Sequence, residues 1–225
     1  MTAVIFDLDG VLVDSEAIWD DARRTVVARA GGTWAPHVTR ELIGMSSVEW
    51  SAYLHDRLGV GLPPERISSE VADLVDERYR EGLPYLPGAR EVVHRLAPEW
   101  PLALASSSNR NIIETFLDAS GLRQCFAVTV SSEEVAHGKP APDVYLAAAT
   151  RLHIAPADCV AIEDSTNGIR SASAASMRVI AVPNEQFPPS PDALALATVV
   201  VAHLDEITVE RVGPLLHPAP GDSPA

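Results

Sequence analysis

Ala3-Val4-Ile5-Phe6-Asp7-Leu8-Asp9-Gly10 decides how this chain is read. An unbroken apolar run meets two carboxylates and a glycine. Hydrophobicity that is continuous rather than alternating suits a strand buried on both faces of a parallel sheet. The same pattern returns at Pro101–Ala105, Phe126–Val130, Cys159–Ile162, Val179–Val182 and Val199–Val201. Between these runs lie segments of helical period, such as Ile112 to Ala119, stopped by Gly121, and Val144 to Leu152 after Pro142. Strand–helix alternation of this kind predicts a doubly wound α/β fold with a parallel sheet.

One stretch breaks the rhythm. From Ser15 to about Gly82 the sequence carries helical patterns and no strand. Ile18, Ala22, Val26 and Ala30 recur every four residues until Gly31-Gly32. Ser46 and Glu49 have the spacing of a capping box. Pro63-Pro64 opens a third amphipathic segment through Ile67, Val71, Leu74, Val75 and Arg78. The expected organisation is an α/β core over residues 1–14 and 84–212, a small helical domain inserted at 15–83, and a disordered tail at 213–225.

Thirty-one Asp and Glu against 17 Lys and Arg give the 225 residues a formal charge of −14. Nucleic-acid binders need clustered cations, so that class is excluded. A small anionic substrate is still allowed, because a single local lysine can recruit it. Cys125 and Cys159 have no metal or disulfide spacing, and the seven histidines show no HExxH-like pattern. No apolar run reaches membrane-spanning length, and carboxylates interrupt the apolar start well before signal-peptide length. A cytoplasmic monomer with no nucleic-acid or membrane partner is expected.

Ligands of open α/β sheets bind beyond the carboxyl ends of the strands. The polar residues at those ends are Asp7-Leu8-Asp9-Gly10, Ser106-Ser107-Ser108-Asn109, Gly138-Lys139-Pro140 and Glu163-Asp164-Ser165. Taken singly, each has an ordinary explanation: acids and serines cap helices, and lysines sit in solvent. Together they place four carboxylates, a hydroxyl cluster and one lysine on one edge of the sheet. Two unit charges ~4 Å apart cost about 4 kcal/mol at an effective dielectric near ~20. Such a cluster calls for a cation, and hard oxygen ligands favour Mg²⁺ with a phosphate-bearing metabolite as substrate.

These segments resemble the four motifs of the haloacid dehalogenase superfamily, in the branch of sugar phosphatases and β-phosphoglucomutase-like proteins. Asp7 through Glu16 resembles the first motif and Ala105 through Asn109 the second. Gly138 through Tyr145 resembles the third, and Ile162 through Ile169 the fourth. The resemblance covers Met1 to about Pro183 and includes the position of the helical insert, a cap over a Rossmann-like core. It implies that Asp7 is a nucleophile forming an aspartyl-phosphate and Asp9 the general acid and base. It also implies that Mg²⁺ is held by the carboxylates of Asp7 and Asp164 and the backbone carbonyl of Asp9, with Glu163 as an auxiliary ligand. Ser106 and Lys139, helped by Ser107 and Asn109, are implied to bind the phosphoryl group.

The cap is where the chain departs from its mutase relatives. Trp19 stands where that branch has a histidine, and Ser47, after Gly44-Met45-Ser46, where it has an arginine. The segments Asp14–Asp20 and Gly44–Trp50 are closer to 2-deoxyglucose-6-phosphatase-like enzymes. Glu16, Trp19, Ser47 and Arg78 are therefore candidates for substrate selection, although an exposed helix end accounts for Arg78 equally well. A phosphatase acting on a small phosphorylated sugar or polyol is the leading reading. A β-phosphoglucomutase-like mutase and a non-catalytic phosphoacceptor module are the alternatives.

Overall fold

Burial on both faces explains why the apolar runs become strands. The structure, a computed structural model, describes residues 1–43 and 45–216. All residues of β1 (Ala3–Phe6), β2 (Leu102–Ser106) and β4 (Cys159–Glu163) are buried. With β3 (Phe126–Ser131), β5 (Arg178–Ala181) and β6 (Val199–Val200) they form one parallel sheet in the order β3-β2-β1-β4-β5-β6. Alternate residues of a strand serve opposite faces. Val4 and Phe6 join one apolar cluster with Leu104 and Ile162, while Ala3 and Ile5 join another with Ala103 and Ala161.

The helices alternate with the strands and cover both faces. Along the chain they are α1 (Glu16–Arg29), α2 (Val38–Leu42), α3 (Ser47–Leu58), α4 (Pro64–Glu81), α5 (Ala89–Leu96), α6 (Arg110–Ser120), α7 (Asp143–Leu152), α8 (Thr166–Ala174), α9 (Pro191–Leu194) and α10 (Val209–Leu216). The local signals act as expected. The Ser46–Glu49 capping box opens α3, Pro64 occupies the first position of α4, and Gly121 ends α6 with φ +70°. The helix α10 runs through Pro214 to Leu216, three residues past the expected start of the tail, because Val212 and Leu216 are buried. The rest of that tail, 217–225, lies outside the described residues.

Helices α1 to α4 all fall between β1 and β2, forming the helical cap. The chain leaves and re-enters the core at one place. Val13 bridges Tyr85 in antiparallel fashion, and the Asp14 amide donates to the Pro84 carbonyl at 2.7 Å. Strand β1 is the switch point: the chain adds β2 and β3 on one side of it, then β4, β5 and β6 on the other. The crevice beyond the carboxyl ends of β1 and β4 is where such a sheet binds ligands.

Candidate active site

Strand register brings the predicted acids together. Phe6 pairs with Ile162, so the next residues, Asp7 and Glu163, lie side by side, and the Asp7 amide donates to the Ile162 carbonyl at 3.0 Å. Asp7 is 6% exposed, Glu163 0%, Asp164 5% and Lys139 1%, so four ionisable side chains share a nearly dry site. One carboxylate oxygen from each of Asp7, Glu163 and Asp164 lies within 4.8 Å of the others.

Lys139 joins this group. Its ammonium is 2.6 Å from Glu163 Oε1 and 2.9 Å from Asp7 Oδ1. Burial works against its charge, but Asp7 and Glu163 outweigh burial and hold the ammonium above its ordinary range. Glu163 has little capacity left. Its Oε1 also accepts from the Tyr145 hydroxyl at 2.7 Å, and its Oε2 accepts from the amides of Asp164 and Ser165 and from the Ser165 hydroxyl. Gly168 is required here because a Cβ at that position would sit 1.9–2.0 Å from the Glu163 carboxylate. Glu163 thus fixes Lys139 against Asp7.

Asp7 and Asp164 are in a different condition. Burial first, and then the charge of Glu163, push both carboxyls well above their usual range. Asp164 Oδ1 is buried with no hydrogen-bond partner among the described residues. A carboxylate oxygen left unsatisfied beside a second raised carboxylate fits a cation, and an all-oxygen donor set fits a hard divalent one.

Asp9 points to the cap. Its Oδ1 accepts from the Ser15 hydroxyl, from the Trp19 indole at 2.9 Å and from the Tyr79 hydroxyl at 3.1 Å. Its Oδ2 accepts from Ser108 and, at 3.5 Å, from Ser106. Burial, followed by the charge of Asp9, raises the Tyr79 phenol well above its usual range, so it stays a donor. Two cap helices, α1 and α4, therefore grip one carboxylate of the core.

The cleft between cap and core is lined by Asp7, Asp9, Lys139, Asp164, Ser107 and Ser108 below, and by Glu16, Trp19, Arg23, Met45 and Trp50 above. Its cavity is about 40 Å³. Ser106 lies just behind, where its hydroxyl accepts from the Ser108 amide at 2.9 Å. Neither Ser106 nor Glu163, both fully buried, lines this cleft, and three further predicted residues lie away from it. Asn109 donates to Ser68 and Glu133 and, with the buried Ser47, lines an adjoining crevice. Arg78 is exposed on the outside of α4, 3.3 Å from Glu81.

Sequence reasoning missed Arg23, Ser108 and the roles of Trp50 and Tyr145. For Arg23 the signal was present: Glu16, Trp19 and Arg23 are spaced by three and four, which places them on one helix face. For Trp50 there was none, since only tertiary packing brings α3 over the cleft.

A family model for haloacid dehalogenase-like hydrolases matches residues 1–176. Hexitol phosphatase B of Escherichia coli (strain K12) is 36% identical over 219 residues, covering 92% of this chain and 95% of that protein. The bifunctional riboflavin kinase/FMN phosphatase of Arabidopsis thaliana is 33% identical over 94% of this chain, which spans only 56% of that protein. Among solved structures, CbbY from Rhodobacter sphaeroides in complex with phosphate superposes with a TM-score of 0.81 at 27% identity, covering 92% of this chain and 96% of that one. A family match extending over most of the core and all of the cap makes this chain a member of the haloacid dehalogenase-like hydrolases.

Proposed function

We propose that this hydrolase cleaves the phosphate monoester of a small sugar or polyol in the cytoplasm, using Asp7 as nucleophile. One observation carries the reading. Asp7 and Asp9 follow directly on β1 and line one cleft, with Lys139 held 2.9 Å from Asp7. A carboxylate that attacks phosphorus divides one difficult displacement into two easier ones. Lys139, fixed by Glu163, would neutralise charge on the transferring phosphoryl oxygens, aided by the hydroxyls of Ser107 and Ser108. Asp9 would protonate the leaving oxygen and later take a proton from the hydrolytic water. Donors from both cap and core fix where that carboxylate points. The carboxylates of Asp7 and Asp164, with the backbone carbonyl of Asp9, would hold Mg²⁺. When bound, the ion would offset the crowded negative charge and polarise the phosphoryl group.

The relatives support the substrate class, since hexitol phosphatase B of Escherichia coli and a phosphorylated carbohydrates phosphatase of Thermotoga maritima are 36% and 32% identical to this chain. The test is phosphate release from sugar, polyol and nucleoside monophosphates with and without Mg²⁺. Release from a polyol or sugar phosphate only with the metal is expected. A lack of turnover would favour a phosphoacceptor module. Conversion of β-glucose 1-phosphate to glucose 6-phosphate faster than phosphate release would favour a mutase.

A further inference from the structure

We propose that Arg23 and Glu16 read hydroxyl groups on the carbon chain beyond the phosphate, so that the preferred substrate is a monophosphate with an uncharged polyhydroxy tail. The inference rests on the phosphomonoesterase reading above and adds the side chains that select the substrate.

Among the described residues Arg23 makes no side-chain hydrogen bond or close ion pair, and its Nε is buried without a partner. It is 6% exposed and lines the cleft that contains Asp7 and Asp9. Its guanidinium carbon sits 5.3 Å from the Trp19 ring centre and 5.2 Å from that of Trp50, and the two indoles lie 6.2 Å apart at 61°. The rings hold the guanidinium in place and supply some cation–π attraction, but they accept no directed hydrogen bond in the ring plane. The nearby carboxylate of Asp20 is occupied by Arg24 at 2.6 Å and by Thr39 at 2.7 Å. Burial lowers the proton affinity of the guanidinium, and Glu16 is the leading influence that restores it. A buried donor left unsatisfied is costly, and a ligand that accepts from it recovers that cost.

Glu16 decides which ligand. It lines the same cleft, and burial raises its carboxyl while Arg23 pulls it back. A second phosphate or a carboxylate would satisfy Arg23 but would also face Glu16, with Asp9 and Asp164 further along the cleft. A hydroxyl accepts from Arg23 and donates to Glu16, and adjacent hydroxyls on a polyol can serve both residues at once. Site polar groups built to bond a hydroxyl discriminate strongly against analogues that lack it.

The experiment compares three phosphate esters with Mg²⁺ present: glucitol 6-phosphate, 6-phosphogluconate, in which the distal carbon is a carboxylate, and p-nitrophenyl phosphate, which has no hydroxylated tail. The wild type should prefer glucitol 6-phosphate over 6-phosphogluconate at least tenfold in kcat/KM. Arg23→Gln should lower the ratio of kcat/KM for glucitol 6-phosphate to that for p-nitrophenyl phosphate tenfold or more, chiefly through KM. Arg23→Lys, which keeps charge and much of the packing, should recover part of that ratio. Glu16→Gln should narrow the gap between alcohol and acid. A wild type that prefers the acid, or a ratio that Arg23→Gln leaves unchanged, overturns the proposal. Failure of the phosphatase reading looks different, because the wild type would then release phosphate from none of the three.

Discussion

The Tyr79 hydroxyl, near the end of cap helix α4, donates a 3.1 Å hydrogen bond to Asp9, seventy residues earlier in the chain. Cap position and the carboxylate assigned to proton transfer are joined through this contact. Tyr79→Phe keeps the buried ring and removes only the donor. A hydrogen bond to a charged group is worth roughly 1.5–3 kcal/mol. The variant should therefore turn over polyol phosphates about tenfold more slowly, with a smaller loss on p-nitrophenyl phosphate, whose leaving group needs little protonation. Steady-state kinetics on the two substrates check this.

The two carboxylates of the first motif should fail in different ways. Asp7→Asn should form no phosphoenzyme, whereas Asp9→Asn should still transfer phosphoryl from aryl phosphates. Rapid quenching with a radiolabelled substrate distinguishes them, and label retained by the Asp7 variant would contradict the nucleophile assignment.

Metal dependence is expected from the unsatisfied Asp164 oxygen and the close approach of carboxylate oxygens from Asp7, Glu163 and Asp164. Asp164→Ala should weaken Mg²⁺ binding by two or more orders of magnitude, comparable to the roughly 3–5 kcal/mol lost when one partner leaves a buried charge group. Calorimetric titration measures it without reference to turnover. Full wild-type activity after exhaustive chelation would refute the dependence.

Gly168→Ala should unfold or loosen the site, because the added Cβ would overlap the Glu163 carboxylate. Displacing Glu163 also releases Lys139 and Tyr145. A loss of roughly 3 kcal/mol or more is expected in urea unfolding.

Glu134 offers a pH test away from the buried acidic cluster. Burial opposes its charge, but Arg110, the Ser131 amide and Arg151 outweigh burial and lower its carboxyl to about 2. Through Glu134 these contacts tie the end of β3 to α6 and α7. With the folded value depressed, the unfolded chain binds the extra proton as pH falls. The stabilisation is then complete above about pH 5 and fades towards pH 2. Glu134→Gln should melt below the wild type at pH 7, and thermal melts should show the gap narrowing steadily below about pH 4.5.

Much of this architecture was legible because local and global signals agree. Val4-Ile5-Phe6 and Cys159–Ile162 are apolar without alternation, and both strands are buried on both faces. The strand-end acids could be gathered from order alone, since a parallel sheet puts all such ends on one edge. Long-range packing was not legible. Nothing near Asn109 in sequence signals that Ser68 and Glu133 draw it away from the cleft. Nor does the helical period of α4 reveal that Tyr79 is buried against Asp9 while its neighbour Arg78 remains in solvent. The two differ only in the helix face they occupy, and which face is covered depends on how α4 lies against α1, α3 and α6.

The Val13–Tyr85 bridge and the Asp14–Pro84 hydrogen bond close the cap into a stem-bound loop whose two ends sit side by side. The chain therefore crosses between core and insert at one place, however long the insert is. Doubling the length of a loop costs only about 0.6 kcal/mol of closure entropy. A foreign segment spliced at this stem should therefore inherit the Asp7–Lys139–Glu163 arrangement, which the core alone supplies, but would have to bring its own donors to Asp9 and its own criteria for what enters.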